Sequence, residues 1–214
     1  MALLDSLFLI IIFLFSVVIH EIAHGAVANA LGDSTARLSG RLTLNPLKHI
    51  DPLGSIILPA FFFLLGSLSG GGIIFGWAKP VPINPYNLRD QRWGVAKVAV
   101  AGSGANLLIA LFFGLLIRFL PGISNDFFIG MYTFFLKVIW INIILGVFNL
   151  IPIPPFDGSK ILFSFLPPAA NAFKDFMERY GMVLILFIIF FGFNFVVRVS
   201  SFVFELFVGS PVHF

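Results

Sequence analysis

The stretch LFLIIIFLFSVVIHEIAHGAVANAL, residues 7–31, decides how this chain folds. From Leu7 to Ile19 it is apolar apart from Ser16, then it places His20, Glu21 and His24 together and continues to Leu31. At about 1.5 Å per residue, a helix over this stretch is long enough for the ~30 Å hydrocarbon core of a bilayer. Gly32 and Asp33 end it, and a polar stretch with Arg37, Arg41, Lys48 and His49 follows. No Lys or Arg precedes the run, and Asp5 sits where a secretory signal carries positive charge, so the run reads as a membrane span. Three ionisable side chains inside that span then need a reason.

The remaining sequence fits the same environment. Of 214 residues, 59% are hydrophobic and only 11% charged, and the mean hydropathy is +1.03, outside the soluble range. Further apolar runs extend over Val95–Leu120, Phe127–Ile151 and Gly181–Val208. Between the last two, Pro152–Tyr180 starts with prolines and then carries Lys174, Asp175, Glu178 and Arg179 on an interfacial helix. The region Pro52–Asn84 reads differently. An apolar piece, Leu53–Leu65, runs into Gly70-Gly71-Gly72 and then Pro80 and Pro82, which argues against one continuous helix. The expectation is an all-α polytopic membrane protein of about four to five transmembrane helices, with a re-entrant or hairpin segment over about 53–84 near the active site. The whole chain, 1–214, reads as a single membrane-embedded domain, since no polar linker or internal repeat divides it.

Loop charges orient the spans. Arg37, Arg41 and Lys48 mark one loop as cytoplasmic, as do Arg89, Arg92 and Lys97 before the Val95 span, whereas 121–126 has neither Lys nor Arg. Lys160, Lys174 and Arg179 return the chain to the inside. Both flanks of Leu53–Phe75 are then cytoplasmic, which requires re-entry, and irregular backbone at that depth must line protein or a watery cavity. The net charge of +3 is scattered between spans, so it reads as a topology signal and nucleic acid is not an expected partner. There is no cysteine, so a metal can be held only by His, Asp or Glu.

His20-Glu21-Ile22-Ala23-His24 is an H-E-x-x-H motif. On a helix its histidines lie one turn apart on one face, where two imidazole nitrogens can bind one zinc ion with Glu21 beside them as general base. The alternative is a pair of hydrogen-bonded core histidines with an interfacial carboxylate. Membrane depth disfavours it, because each ionisable group in a span costs about 2.5–3.5 kcal/mol on insertion scales. Asp157 is the best candidate for a third ligand, since Pro152, Pro154 and Pro155 break a helix there and Gly158 permits a close turn. Its plainer role is to cap a helix beginning near Ser159. Lys137 reads as a snorkelling or ion-paired lysine, His49 as an interface or near-site histidine.

The first motif, paired with the late Asn149-Leu150-Ile151-Pro152-Ile153-Pro154-Pro155-Phe156-Asp157-Gly158, resembles the site-2 protease family of intramembrane metalloproteases. The segments Asn45–Gly54 and Gly76–Asn84 are similar to those of its compact bacterial and archaeal members, which lack a PDZ or other soluble domain. The resemblance implies one zinc per chain held by His20, His24 and Asp157, and Glu21 activating water. It implies transmembrane protein substrates within the lipid bilayer, cleaved in or next to a membrane span. A multi-pass protein of a prokaryotic plasma membrane, with its active site toward the cytoplasm, follows from the resemblance and the loop charges. Where the family often has a proline before a conserved-type asparagine, this chain has Ser103 ahead of Asn106. Asn106 then either hydrogen-bonds a developing oxyanion or glues helices together, with packing the first choice; Asn149 poses the same question with the site favoured. A transporter or channel with a His/Glu metal or proton path is the rival reading, but it predicts ionisable groups spread over several spans or inverted repeats.

Overall fold

A computed structural model of the chain describes residues 2–57, 78–119 and 126–209. The described residues form seven α-helices: α1 (Ala2–Ala30), the single turn α2 (Thr35–Leu38), α3 (Gln91–Phe119), α4 (Asp126–Asn149), α5 (Asp157–Phe165), α6 (Asn171–Phe187) and α7 (Phe193–Val208). There is no strand among the described residues, and four helical stretches are long and apolar enough to cross a membrane: Leu7–Ala30, Gln91–Phe119, Phe128–Asn149 and Asn171–Val208. The protein is therefore an all-α, polytopic integral membrane protein. Most of the expected re-entrant segment, residues 58–77, lies outside the described residues. Its near flank begins as a π-helical turn, Pro52–Ile57, and its far flank, from Ala78, is irregular chain.

The last span differs from its sequence boundary. Gly181 does not start it; instead α6 runs from Asn171 through a π-helical turn, Ile188–Gly192, into α7. Gly181 is a contact site, where a Cβ would come within 3.2 Å of the Pro154 ring and carbonyl carbon. Glycine in this helix thus serves close approach to the proline-rich segment that precedes Asp157.

Helix α3 is the centre of the bundle and packs on α1, α4, α5 and α7. Lipid offers no hydrophobic drive for helix association, so small residues that admit close approach matter. A Cβ on Gly146 of α4 would sit 2.9 Å from Leu107 of α3, and one on Gly114 of α3 would sit 3.0 Å from Phe207 of α7. Around these contacts Ala110, Ile117, Ile139, Ile143, Phe204 and Val208 form a buried apolar cluster. The short helix α5 is tied to the start of α3, where the Arg92 guanidinium donates to Ser164 O at 2.6 Å and Phe165 O at 3.3 Å, satisfying carbonyls at a helix end. Trp93 stacks edge-on against Phe165. The intramembrane Lys137 is paired with Asp5 across α4 and α1 at 2.6 Å, which is the ion-pair reading of that lysine.

Helix α1 ends where Gly32 adopts φ +115°, a left-handed conformation suited to glycine. The next residue, Asp33, is fully buried and accepts hydrogen bonds from Asn84 N (2.7 Å), Asn87 Nδ2 (3.0 Å), Thr35 N (3.1 Å) and the Thr35 hydroxyl. It fastens the far flank of the 58–77 region to the end of α1. Burial pushes its carboxyl pKa up, but these donors outweigh burial and hold it below the ordinary 3.8. Stability from a lowered carboxyl pKa is fully present above the unfolded value and is lost as pH falls through the folded one. Asp33→Ala should therefore cost about 2 kcal/mol near neutral pH by stranding buried donors. Thermal unfolding in detergent should show that gap between wild type and variant closing as pH falls below 3.8, and a constant gap would contradict the role.

Candidate metal centre

His20 and His24 lie on one face of α1, and Asp157 is brought to them from the first turn of α5. His20 Nε2 and His24 Nε2 are 3.0 Å apart, and Asp157 Oδ2 lies 3.1 Å from the first and 2.8 Å from the second. All three side chains are buried, with 5–6% of each residue exposed. They form the group of His, Asp and Glu side chains that could hold a metal ion among the described residues. Two donors at 2.0–2.1 Å on a tetrahedral ion are separated by about 3.3 Å, so these spacings fall only a few tenths of an ångström short.

The hydrogen bonds behind the rings decide whether the set suits a cation. His24 Nδ1 lies 2.7 Å from Val98 O, an acceptor only, so Nδ1 carries the proton and Nε2 presents a lone pair. His20 Nδ1 lies 2.7 Å from Asn106 Oδ1. The Asn106 amide nitrogen faces two acceptors, Ser16 O at 3.2 Å and Asn142 Oδ1 at 2.8 Å, which together turn the oxygen toward His20. Both histidines thus carry the proton on Nδ1 and point Nε2 lone pairs at a carboxylate oxygen. Three electron-pair donors converging without a proton between them repel one another, and a cation at their meeting point relieves this.

Space for the rings comes from Gly102 on α3. A Cβ there would lie closer than 3.0 Å to His20 Nε2 and His24 Nε2, whereas one on Gly104 would meet nothing within 4 Å. Gly158 has a similar function on the other side, since a Cβ would collide with the Leu150 and Ile151 carbonyl oxygens where α5 turns against the end of α4. Asp157 does not act as a cap. Phe156 precedes the helix, and the two Asp157 oxygens go to the histidines and to Lys160 Nζ, 2.9 Å away.

Glu21 is half-buried, and its Oε2 accepts a hydrogen bond from Val81 N at 2.8 Å. Val81 sits between Pro80 and Pro82, neither of which has an N–H. Its strand of chain is clamped by Arg41, which donates to Lys79 O (2.7 Å) and Pro80 O (3.2 Å), and by Lys79 N donating to His49 O at 2.9 Å. His49 is itself buried, with Nε2 at 3.0 Å from Thr43 O, so it belongs to this loop and not to the cluster. Asn106 is fully buried between helices, with its oxygen on His20 and its nitrogen on Ser16 O and Asn142 Oδ1. The amide nitrogen of Asn149 donates within α4, to Leu145 O at 3.0 Å. Sequence reasoning gave Asn142, Ser16 and Val81 no part in the site and gave Arg41 only a topology role. An amide in the middle of the apolar run Trp140–Leu145 was the available signal for Asn142; nothing in the residue types pointed to the Val81 N–H.

A helical membrane bundle with a buried His-His-carboxylate set beside a helix-borne glutamate defines the class of intramembrane metalloproteases. The chain matches Peptidase family M50 over residues 8–190 and belongs to that family. It is similar to YwhC of Bacillus subtilis (strain 168), a candidate zinc metalloprotease by its name, with 38% identity covering 84% of this chain and 78% of YwhC. Rip2 of Mycolicibacterium smegmatis, named in the same way, is 30% identical over 80% of this chain and 62% of its own length. Protease RseP of Photorhabdus luminescens is 39% identical over 71 residues, 30% of each chain. No solved structure matches the chain. The protein is a zinc metalloendopeptidase of the membrane, and a His/Glu transport path is not favoured.

Proposed function

We propose that His20, His24 and Asp157 are the protein ligands of the zinc and that Glu21 is the general base of peptide hydrolysis. The observation that carries this reading is the convergence of two Nε2 lone pairs and one carboxylate oxygen within 3.1 Å, one residue from Glu21. Zinc, when bound, supplies Lewis acidity toward water and toward the scissile carbonyl. Asn106 and the Val98 carbonyl hold the imidazoles in the ligating tautomer. The Val81 N–H holds one oxygen of Glu21, so the carboxylate is oriented before substrate arrives. Glu21 takes a proton from the attacking water and passes it to the leaving amine.

The substrates are transmembrane segments of other proteins, or their cytoplasmic junctions. A substrate helix must unwind first, because its carbonyls are engaged in i to i−4 hydrogen bonds. The chain around Lys79–Ile83 lies beside Glu21 and is suited to guide an unwound segment there. Arg37, Arg41, Lys48 and Arg89 lie between α1 and α3, after the histidine end of α1, and Arg92 lies in the first turn of α3, which supports a site on the cytoplasmic side of a cell membrane. The whole chain works as one membrane-embedded domain. The test is metal analysis of His20→Ala, His24→Ala and Asp157→Ala in detergent. Each should fall from about one zinc per chain toward none while remaining monodisperse; full zinc in any of them would remove that residue from the ligand set.

A further inference from the structure

Behind His20, Asn106 is one end of a buried polar chain that crosses three helices. Asn106 of α3 and Asn142 of α4 are 0% and 1% exposed, and both lean on Ser16 of α1. Asn142 Nδ2 donates to Val138 O at 2.9 Å and to Ser16 Oγ at 2.9 Å. Val138 O can only accept, so the amide face turned to it must be the nitrogen, and Asn142 Oδ1 must point the other way. There it accepts from Asn106 Nδ2 at 2.8 Å. The second hydrogen of that nitrogen goes to Ser16 O, which leaves Asn106 Oδ1 as an acceptor toward His20 Nδ1 at 2.7 Å.

We infer that Asn142 is a positioning residue for zinc binding: acting through Asn106, it sets which nitrogen of His20 carries the proton. The direction of the whole chain is dictated by two backbone carbonyls, Val138 O and Ser16 O. Each step allows one orientation, ending with Nδ1–H on His20 and a lone pair on Nε2 facing Asp157. A flipped Asn106 would offer an N–H to Nδ1, move the proton to Nε2 and block the ligating atom. Buried amides in a bilayer are costly unless every hydrogen is used, and here all four amide hydrogens of the two asparagines have acceptors. The inference rests on His20 being a zinc ligand, so its test must separate the two.

Metal-free protein labelled with 15N-histidine, held where its imidazoles are neutral, reports the tautomer directly by NMR. Wild-type His20 should be the Nδ1–H form. In Asn142→Ala, Asn106 loses one of its two acceptors, and His20 should shift to a tautomer mixture while zinc affinity falls about 10- to 100-fold. His24, held by Val98 O, should keep its tautomer in the same sample, which a general loosening of the fold would not allow. Asn142→Asp supplies a second variant in case the alanine form fails to fold. In its protonated form the carboxyl can donate its O–H to Val138 O in place of the amide, and its carbonyl can still accept from Asn106. Its His20 tautomer should match wild type, with zinc affinity within a few-fold. An unchanged His20 tautomer in Asn142→Ala, or a lost one in a folded Asn142→Asp, would overturn the relay. If the tautomer responds as stated but His20→Ala binds zinc like wild type, the relay stands and the ligand assignment fails.

Discussion

Glu21→Gln is expected to bind about one zinc per chain and to lose cleavage of membrane-spanning substrates by 10²- to 10⁴-fold, the usual contribution of a positioned base. The substitution keeps the shape of the side chain, and its carbonyl oxygen can still accept from Val81 N, so the loop and α1 remain as they are. What disappears is the capacity to take a proton. Neither imidazole nor Asp157 depends on Glu21 for its orientation, because their partners are Asn106, Val98 O and Lys160. Zinc content measured beside turnover separates the two roles. Loss of zinc in this variant would place Glu21 in the ligand set, and retained cleavage would remove it as the base.

Gly102→Ala is expected to have an equally large effect from a residue with no chemistry. In an exposed helix the exchange would favour folding by about 1 kcal/mol. Here the new Cβ would lie closer than 3.0 Å to the Nε2 atoms of His20 and His24. In the metal-free protein the rings can make room only by stretching their bonds to Asn106 and Val98 O, so thermal stability should fall modestly. With zinc they cannot, since ligand positions are tolerated only within about 0.2 Å. Zinc should become substoichiometric and cleavage fall by about 10²-fold or more. Gly104→Ala, two residues along the same helix with open space around it, should leave both unchanged. Equal behaviour of the two variants would mean that Gly102 is not clearing room for the ligands.

That pair also marks where the sequence stops being informative. Gly102 and Gly104 are indistinguishable in the string Ala101-Gly102-Ser103-Gly104, and only the packing of α3 on α1 tells which one faces the histidines. The helical H-E-x-x-H pattern was readable because a period of 3.6 residues puts His20 and His24 on one face whatever surrounds them. The spans were readable because twenty or so apolar residues have few other fates. Asp157 could be singled out because prolines and Gly158 mark an abrupt turn at the end of a span. The layer behind the ligands was not readable. Asn142 lies 36 residues from Asn106, and Ser16 lies 90 residues from it, so their chain exists only through tertiary packing. Asp33 could be read as the end of α1, but not as the anchor for Asn84 and Asn87, and the apolar run from Gly181 carried no sign that its helix continues from the charged stretch beginning at Asn171.

Zinc K-edge X-ray absorption of the purified wild-type protein tests the central claim most directly, by counting the imidazoles and identifying the other donors around the ion. His20, His24 and Asp157 predict two imidazole nitrogens near 2.0–2.1 Å, the remaining donors being oxygen, with no sulfur near 2.3 Å. A shell with three imidazoles would bring His49 or His213 to the metal and displace Asp157, and a shell with fewer than two would contradict the paired histidines of α1.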